Sequence, residues 1–201
     1  DLAELTEWVK DTYQIEGLNH WDIGYYSEKL RQAKYSVSSE EIRQYFTLPR
    51  VLEGLFGVAQ KLYGITITEA ETELWHEDAR YFEISRDGEK IAAFYLDLYA
   101  REGKRGGAWM DECRVRRETM NGELQLPVAY LTCNFNAPVG DKPALFTHDE
   151  VVTLFHEFGH GIHHMLTKMR VAGVSGINGV PWDAVELPSQ FLENWCWEED
   201  A

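Results

Sequence analysis

Hydrophobic positions change their period twice along this chain. Over the first 64 residues they recur at helical spacing, with Leu2, Leu5, Trp8, Val9 and Tyr13 falling on one stripe. A second helix is predicted from Asp22 through Lys34, and a short third opens at Ser39-Glu40-Glu41 with Ser39 as N-cap. A fourth runs from Pro49 to Tyr63, where Gly64 sits at the stop position. The middle then turns to aromatic and β-branched runs. Arg80–Arg86 and Ile91–Tyr99 flank Arg86-Asp87-Gly88-Glu89, which is a hairpin signal. Residues 101–125 are charged and glycine-rich and read mostly as loop. Pro127–Phe135 reads as a strand, and its opening proline favours a sheet edge.

Helical spacing returns in the last third. Thr147 and Glu150 match a capping box for a helix reaching about Lys168. A loop with Gly173, Gly176 and Gly179 follows, and Asp183-Ala184-Val185-Glu186 is a second capping pattern, opening a helix that carries Pro188. Helices, strands and helices in succession predict an α+β fold, mostly helical with a small sheet. The expected partition is helical 1–64, strand-rich 65–138 and site-bearing helices 147–201, with no clear domain boundary. The apolar pattern meets no stop signal before Ala201, so a piece of a longer protein is expected.

Composition narrows the classes. Apolar residues at 44% supply a core, yet no apolar run is long enough to span a membrane. A net charge of -15 repels phosphate backbones and anionic lipid surfaces, so neither nucleic acid nor membrane is an expected partner. Cys113, Cys133 and Cys196 form no C-x-x-C pair, which argues against a disulfide scaffold or zinc ribbon and fits a cytoplasmic chain.

Candidate chemistry concentrates in His156-Glu157-Phe158-Gly159-His160-Gly161-Ile162-His163-His164, which holds four of the seven histidines. H-E-x-x-H on a helix puts His156 and His160 one turn apart on one face, where two imidazoles can meet one zinc ion. Glu157 is rotated by roughly 100° from His156 and can reach a metal-bound water as general base without ligating. A lone histidine on a helix is more often a plain surface or core residue, and H-E-x-x-H also occurs by chance. Val151, Leu154, Phe155, Phe158 and Ile162 make this helix part of a core, which favours the functional reading. A catalytic zinc needs a third protein ligand and an open position. The metzincin pattern fails, because Leu166 stands where its third histidine would be. Glu186, in the apolar context Val185-Glu186-Leu187, is the alternative; its plainer role is a capping carboxylate paired with Asp183. Glu193, seven residues on, faces the same way and suits a hydrogen bond to a ligand histidine, or is a solvated helix charge. His163 and His164 read most simply as a polar helix face, and His148 as a helix-start residue. Cobalt or manganese would also suit such ligands.

Several runs together carry a family resemblance. They are Phe146-Thr147-His148-Asp149-Glu150 through His160, Val185-Glu186-Leu187-Pro188-Ser189-Gln190, Glu193-Asn194-Trp195, Trp21-Asp22 with Tyr25-Tyr26, and Phe94 through Lys104. Over essentially its whole length the chain resembles the thimet oligopeptidase family of zinc peptidases. The resemblance implies a zincin-like core, one zinc per chain on His156, His160 and Glu186, and Glu157 as general base. It further implies zinc-dependent endopeptidase action on short peptides, a cytoplasmic location and a monomeric full-length protein. Family members also carry a C-terminal region with tyrosine and histidine side chains that stabilise the oxyanion. The chain covers roughly a third of such a protein. The second expectation is therefore a zinc- and peptide-binding piece without turnover.

Overall fold

The computed structural model describes residues 2–36, 38–140 and 143–199. The chain divides into two compact units, 1–45 and 46–201, where the sequence pattern shows no boundary. The first unit holds α1 (Leu2–Tyr13), α2 (His20–Tyr35) and α3 (Ser39–Arg43). Helix α2 starts two residues before the predicted position because Asn19 takes the cap, with the Asp22 carboxylate accepting from its backbone N–H at 3.0 Å. Ser38, not Ser39, caps α3: its Oγ accepts from the Glu41 N–H, while the Ser39 hydroxyl donates to Glu28 at 2.8 Å.

The second unit begins with α4 (Leu48–Tyr63), closed by Gly64 in the left-handed conformation. Strands β1 (Thr66–Glu69), β2 (Arg80–Arg86), β3 (Glu89–Tyr99), β4 (Trp109–Arg114) and β7 (Val128–Phe135) form one sheet in the order β1-β2-β3-β7-β4. Two short strands, β5 (Arg117–Glu118) and β6 (Leu124–Gln125), pair with each other. β2 and β3 form the predicted hairpin through Asp87 (φ 52°) and Gly88 (φ 81°), the two left-handed positions that a tight primed turn demands. β7 runs parallel to β3 and the other pairings are antiparallel, so the sheet is mixed.

One expectation fails here. Pro127–Phe135 is not an edge strand: β7 lies inside the sheet, with β3 on one side and β4 on the other. Pro127 precedes the ladder, and its carbonyl accepts from Ala93. The edge on that side of the sheet is β4, in the segment read as loop. An edge strand has one open side and needs few apolar residues, so Asp111, Glu112 and Arg114 disguise it in the sequence.

Helices α4 and α5 (His148–Met165) contribute to one core with the sheet. Phe56 of α4, Phe82 and Phe94 of the sheet and Phe158 of α5 interlock in that core. Phe82 and Phe94 stack at 5.0 Å, and Phe158 meets Phe94 edge-on at 5.5 Å. Trp75, Tyr81, Tyr95 and Tyr130 form a second aromatic ladder. α6 (Leu187–Glu193) packs on α5 and is followed by a 3-10 turn over Asn194–Trp197. Among the described residues, no helix is long and apolar enough to cross a membrane. All three cysteines are free.

The end of β3 is fastened by Asp97, whose side chain is buried. Arg101 grips both carboxylate oxygens at 2.7 Å, Lys104 Nζ donates to Oδ1 at 2.8 Å, and Trp75 Nε1 donates to Oδ2 at 3.0 Å. Burial alone would push the Asp97 carboxyl up; the two cations and the indole outweigh it and hold it well below the ordinary range. A depressed carboxylate stabilises the fold above its unfolded pKa of about 3.9, and loses that contribution as pH falls through the folded value. Asp97→Asn leaves Lys104 buried and unpaired, and is expected to cost about 3–5 kcal/mol in urea unfolding at pH 7. The gap to wild type should shrink below about pH 4; an equal gap at pH 7 and pH 2 would show that the pairing carries no such energy.

Candidate metal centre

The site is set by how α5 is started and rolled. Thr147 Oγ accepts from the Glu150 N–H at 3.1 Å, and the Glu150 carboxylate accepts from the Thr147 N–H at 2.8 Å, as the sequence predicts. From that start Val151, Leu154, Phe155, Phe158, Ile162 and Met165 turn into the core. That orientation leaves His156 and His160 on a half-buried face, their rings 4.9 Å apart and nearly perpendicular.

Glu186 meets both of them. Its Oε2 lies 3.2 Å from His156 Nε2 and 3.1 Å from His160 Nε2. A tetrahedral ion bonded at about 2.0–2.1 Å holds its ligand atoms about 3.3 Å apart, close to both distances. Among the described residues, His156, His160 and Glu186 form the one group of three side chains with metal-ligand chemistry and spacing. The donor set of two imidazole nitrogens and one carboxylate suits zinc. Glu186 is not a capping carboxylate: it stands at the N-cap of α6 without a side-chain cap bond. Ser189 Oγ instead donates to its Oε2 at 2.8 Å and its backbone carbonyl at 2.9 Å. That hydroxyl, with both histidines nearby, holds the Glu186 carboxyl below its usual range. Burial holds His160 below the usual histidine value, against the pull of Glu186.

Glu193 Oε1 lies 2.6 Å from His156 Nδ1. A carboxylate only accepts, so Nδ1 carries the hydrogen of that contact, and Nε2 is the nitrogen that faces Glu186. Glu157 is buried beside this group, close to the Met110 backbone N–H on β4. Burial raises its carboxyl above the ordinary value; His156 opposes the shift, and Glu186 reinforces it. Two carboxylates one helix apart are thus pushed in opposite directions, one toward permanent charge and one toward taking up a proton.

Other histidines go elsewhere. His164 is fully buried rather than part of a polar face: its Nε2 donates to the Arg114 carbonyl at 2.9 Å. Its Nδ1 faces Gly176, where φ is 64° and an added Cβ would lie 2.4 Å from that nitrogen, so only glycine fits. His163 lines a cavity of about 1110 Å³ with Ile162, Leu166, Val174, Leu187 and Phe191. His148 Nε2 contacts the Cys196 carbonyl, and His76 accepts from the Asp78 N–H. Neither Ser189 nor Met110 has a sequence signal of its own for a place in the site. Ser189 was visible only as a hydroxyl one helical turn past Glu186, and Met110 acts through its backbone.

The whole chain, residues 1–201, matches the model of peptidase family M3. It belongs to that family. It is 59% identical to oligopeptidase A of Escherichia coli (strain K12) and 56% identical to that of Haemophilus influenzae, over its full length. It is 44% identical to a dipeptidyl carboxypeptidase of Salmonella typhimurium across 88% of the chain. The chain spans 30% of the length of the two oligopeptidase A relatives and 26% of the carboxypeptidase. As an M3 chain with His156 locked by Glu193, it carries a testable dependence. Glu193→Gln should weaken zinc uptake by about 10–100-fold in a chelator competition, the usual effect of losing a ligand's outer partner. Unchanged affinity would show that His156 needs no such partner.

Proposed function

We propose that this M3 chain carries the zinc centre of an endopeptidase that hydrolyses short oligopeptides. The observation that supports it best is that His156 Nε2 and His160 Nε2 face one oxygen of Glu186 at ligand spacing, with Glu157 buried alongside. On this reading His156, His160 and Glu186 are the protein ligands of one zinc ion and Glu157 is the catalytic residue. When bound, zinc supplies Lewis-acid chemistry that makes water a nucleophile near neutral pH and polarises the scissile carbonyl.

The remaining work falls to the chain's own groups. Glu157 takes the proton from the attacking water and hands it to the departing amine nitrogen. A base must release the proton it has taken, and the raised affinity that burial gives Glu157 serves both halves of the transfer. Glu193 keeps His156 in the tautomer that ligates. The open side of β4 suits an extended peptide lying antiparallel, since β4 ends the sheet and packs against α5, which carries Glu157. Asp111 and Glu112 on that strand, with a net charge of -15, favour basic peptides.

We place the protein in the cytoplasm on its free thiols and on its 46% identity to a relative named probable cytosolic oligopeptidase A of Arabidopsis thaliana. The full-length protein is read as a monomer. The test is Glu157→Gln in the full-length protein: zinc content stays near one per chain while hydrolysis of a short quenched-fluorescent peptide falls by about 10³-fold or more. Retained turnover would remove Glu157 from the mechanism. Zinc bound by the wild type without cleavage of any peptide would favour the second reading, a zinc- and peptide-binding piece, which the 30% coverage of its relatives brings forward.

A further inference from the structure

The glycine inside the histidine motif has a job that its neighbours cannot share. A Cβ built on Gly159 would lie 2.4 Å from the Pro188 carbonyl oxygen, 2.6 Å from Ser189 Cα and 2.9 Å from the Pro188 carbonyl carbon. All three atoms are backbone, so no side-chain rotation relieves the clash, and Pro188 stiffens the segment further. Ordinary contact begins near 3.4 Å, so any larger residue at 159 drives the start of α6 back by about 1.0 Å (3.4 − 2.4).

Glu186 lies two residues before that contact. Its carboxylate cannot simply swing back, because Ser189, itself fully buried, holds both its Oε2 and its backbone carbonyl. Backbone and carboxylate therefore move together. Metal sites tolerate ligand displacements of about 0.2 Å, several times less than this shift. We infer that Gly159 is a positioning residue for the metal centre: by letting α6 approach α5 backbone to side-chain-free backbone, it sets the distance from Glu186 to His156 and His160. The inference rests on the zinc reading proposed above and adds to it the device that places the third ligand.

Gly161 provides the internal control. It lies on the same helix, two residues on, but an added Cβ there meets only side-chain atoms, Leu131 Cδ2 at 3.0 Å and Met165 Cε at 3.4 Å. Gly→Ala changes helix propensity alike at both positions, so any difference between the two variants reads the contact with α6.

The experiment uses the full-length protein and its Gly159→Ala, Gly161→Ala and Ser189→Ala variants. Zinc affinity is measured by chelator competition, and the visible spectrum of the cobalt-substituted protein reports ligand number and geometry. Gly159→Ala should bind zinc at least about tenfold more weakly and show an altered cobalt spectrum, while Gly161→Ala matches wild type. Equal affinity in Gly159→Ala and wild type, or equal losses in the two glycine variants, overturns the inference while leaving the zinc site standing. If Gly159→Ala fails to fold, Ser189→Ala decides: a loss of about tenfold supports the tether, and unchanged affinity overturns it. A wild-type protein that takes up no zinc overturns the metal centre itself and this inference with it.

Discussion

The packing of Phe158 against Phe94 governs the rest of the second unit. A helix can roll about its axis, and every residue on it rolls too. Phe158, Leu154, Phe155 and Ile162 remove that freedom, because their apolar surface is buried on only one orientation of α5. With the helix so held, His156 and His160 have no choice of direction, and Glu157 is brought against β4. The chemistry-bearing side chains are consequences of a hydrophobic registration in which none of them takes part. Their own mutual repulsions and pairings are small corrections to a direction already chosen.

Much of this was legible in the sequence wherever the signal is local. Thr147 with Glu150, the Asp87-Gly88 turn and the Gly64 stop each involve residues within four positions, and all three occur as read. Signals that depend on the partner strand were not legible. Pro127 marks an edge equally well as it marks the residue before an internal strand begins, and nothing in Val128–Phe135 says that another strand will lie outside it. β4 hid because an edge strand carries charge. Ser38 and Ser39 are chemically identical, and the choice of cap follows from Glu28 engaging Ser39. The division after residue 45 leaves no mark on the hydrophobic pattern, because helices on both sides share one period.

The same distinction runs through the site. His156, Glu157 and His160 are fixed by helical spacing and could be read directly. Glu186 could only be nominated, since the loop between Lys168 and Pro181 hides where the chain returns. The structure supplies the return: His164 under Gly176, Asn178 donating to Glu112 at 2.7 Å, and Ser189 turned onto Glu186. These are contacts between segments far apart in sequence, and no periodicity encodes them.

The parallel pairing of β3 with β7 obliges the chain to leave the sheet after Tyr99 and re-enter it at Val128, and β4 is made from that excursion. The strand beside the candidate metal centre is therefore carried on a detour, whose far tip around Met120 and Gly122 stands in solvent. Length can be gained or lost at that tip without disturbing the strands that build the core. Evolution, or an engineer inserting a loop or a reporter, has there a place to alter the surroundings of the candidate metal centre while the scaffold that carries it is inherited intact.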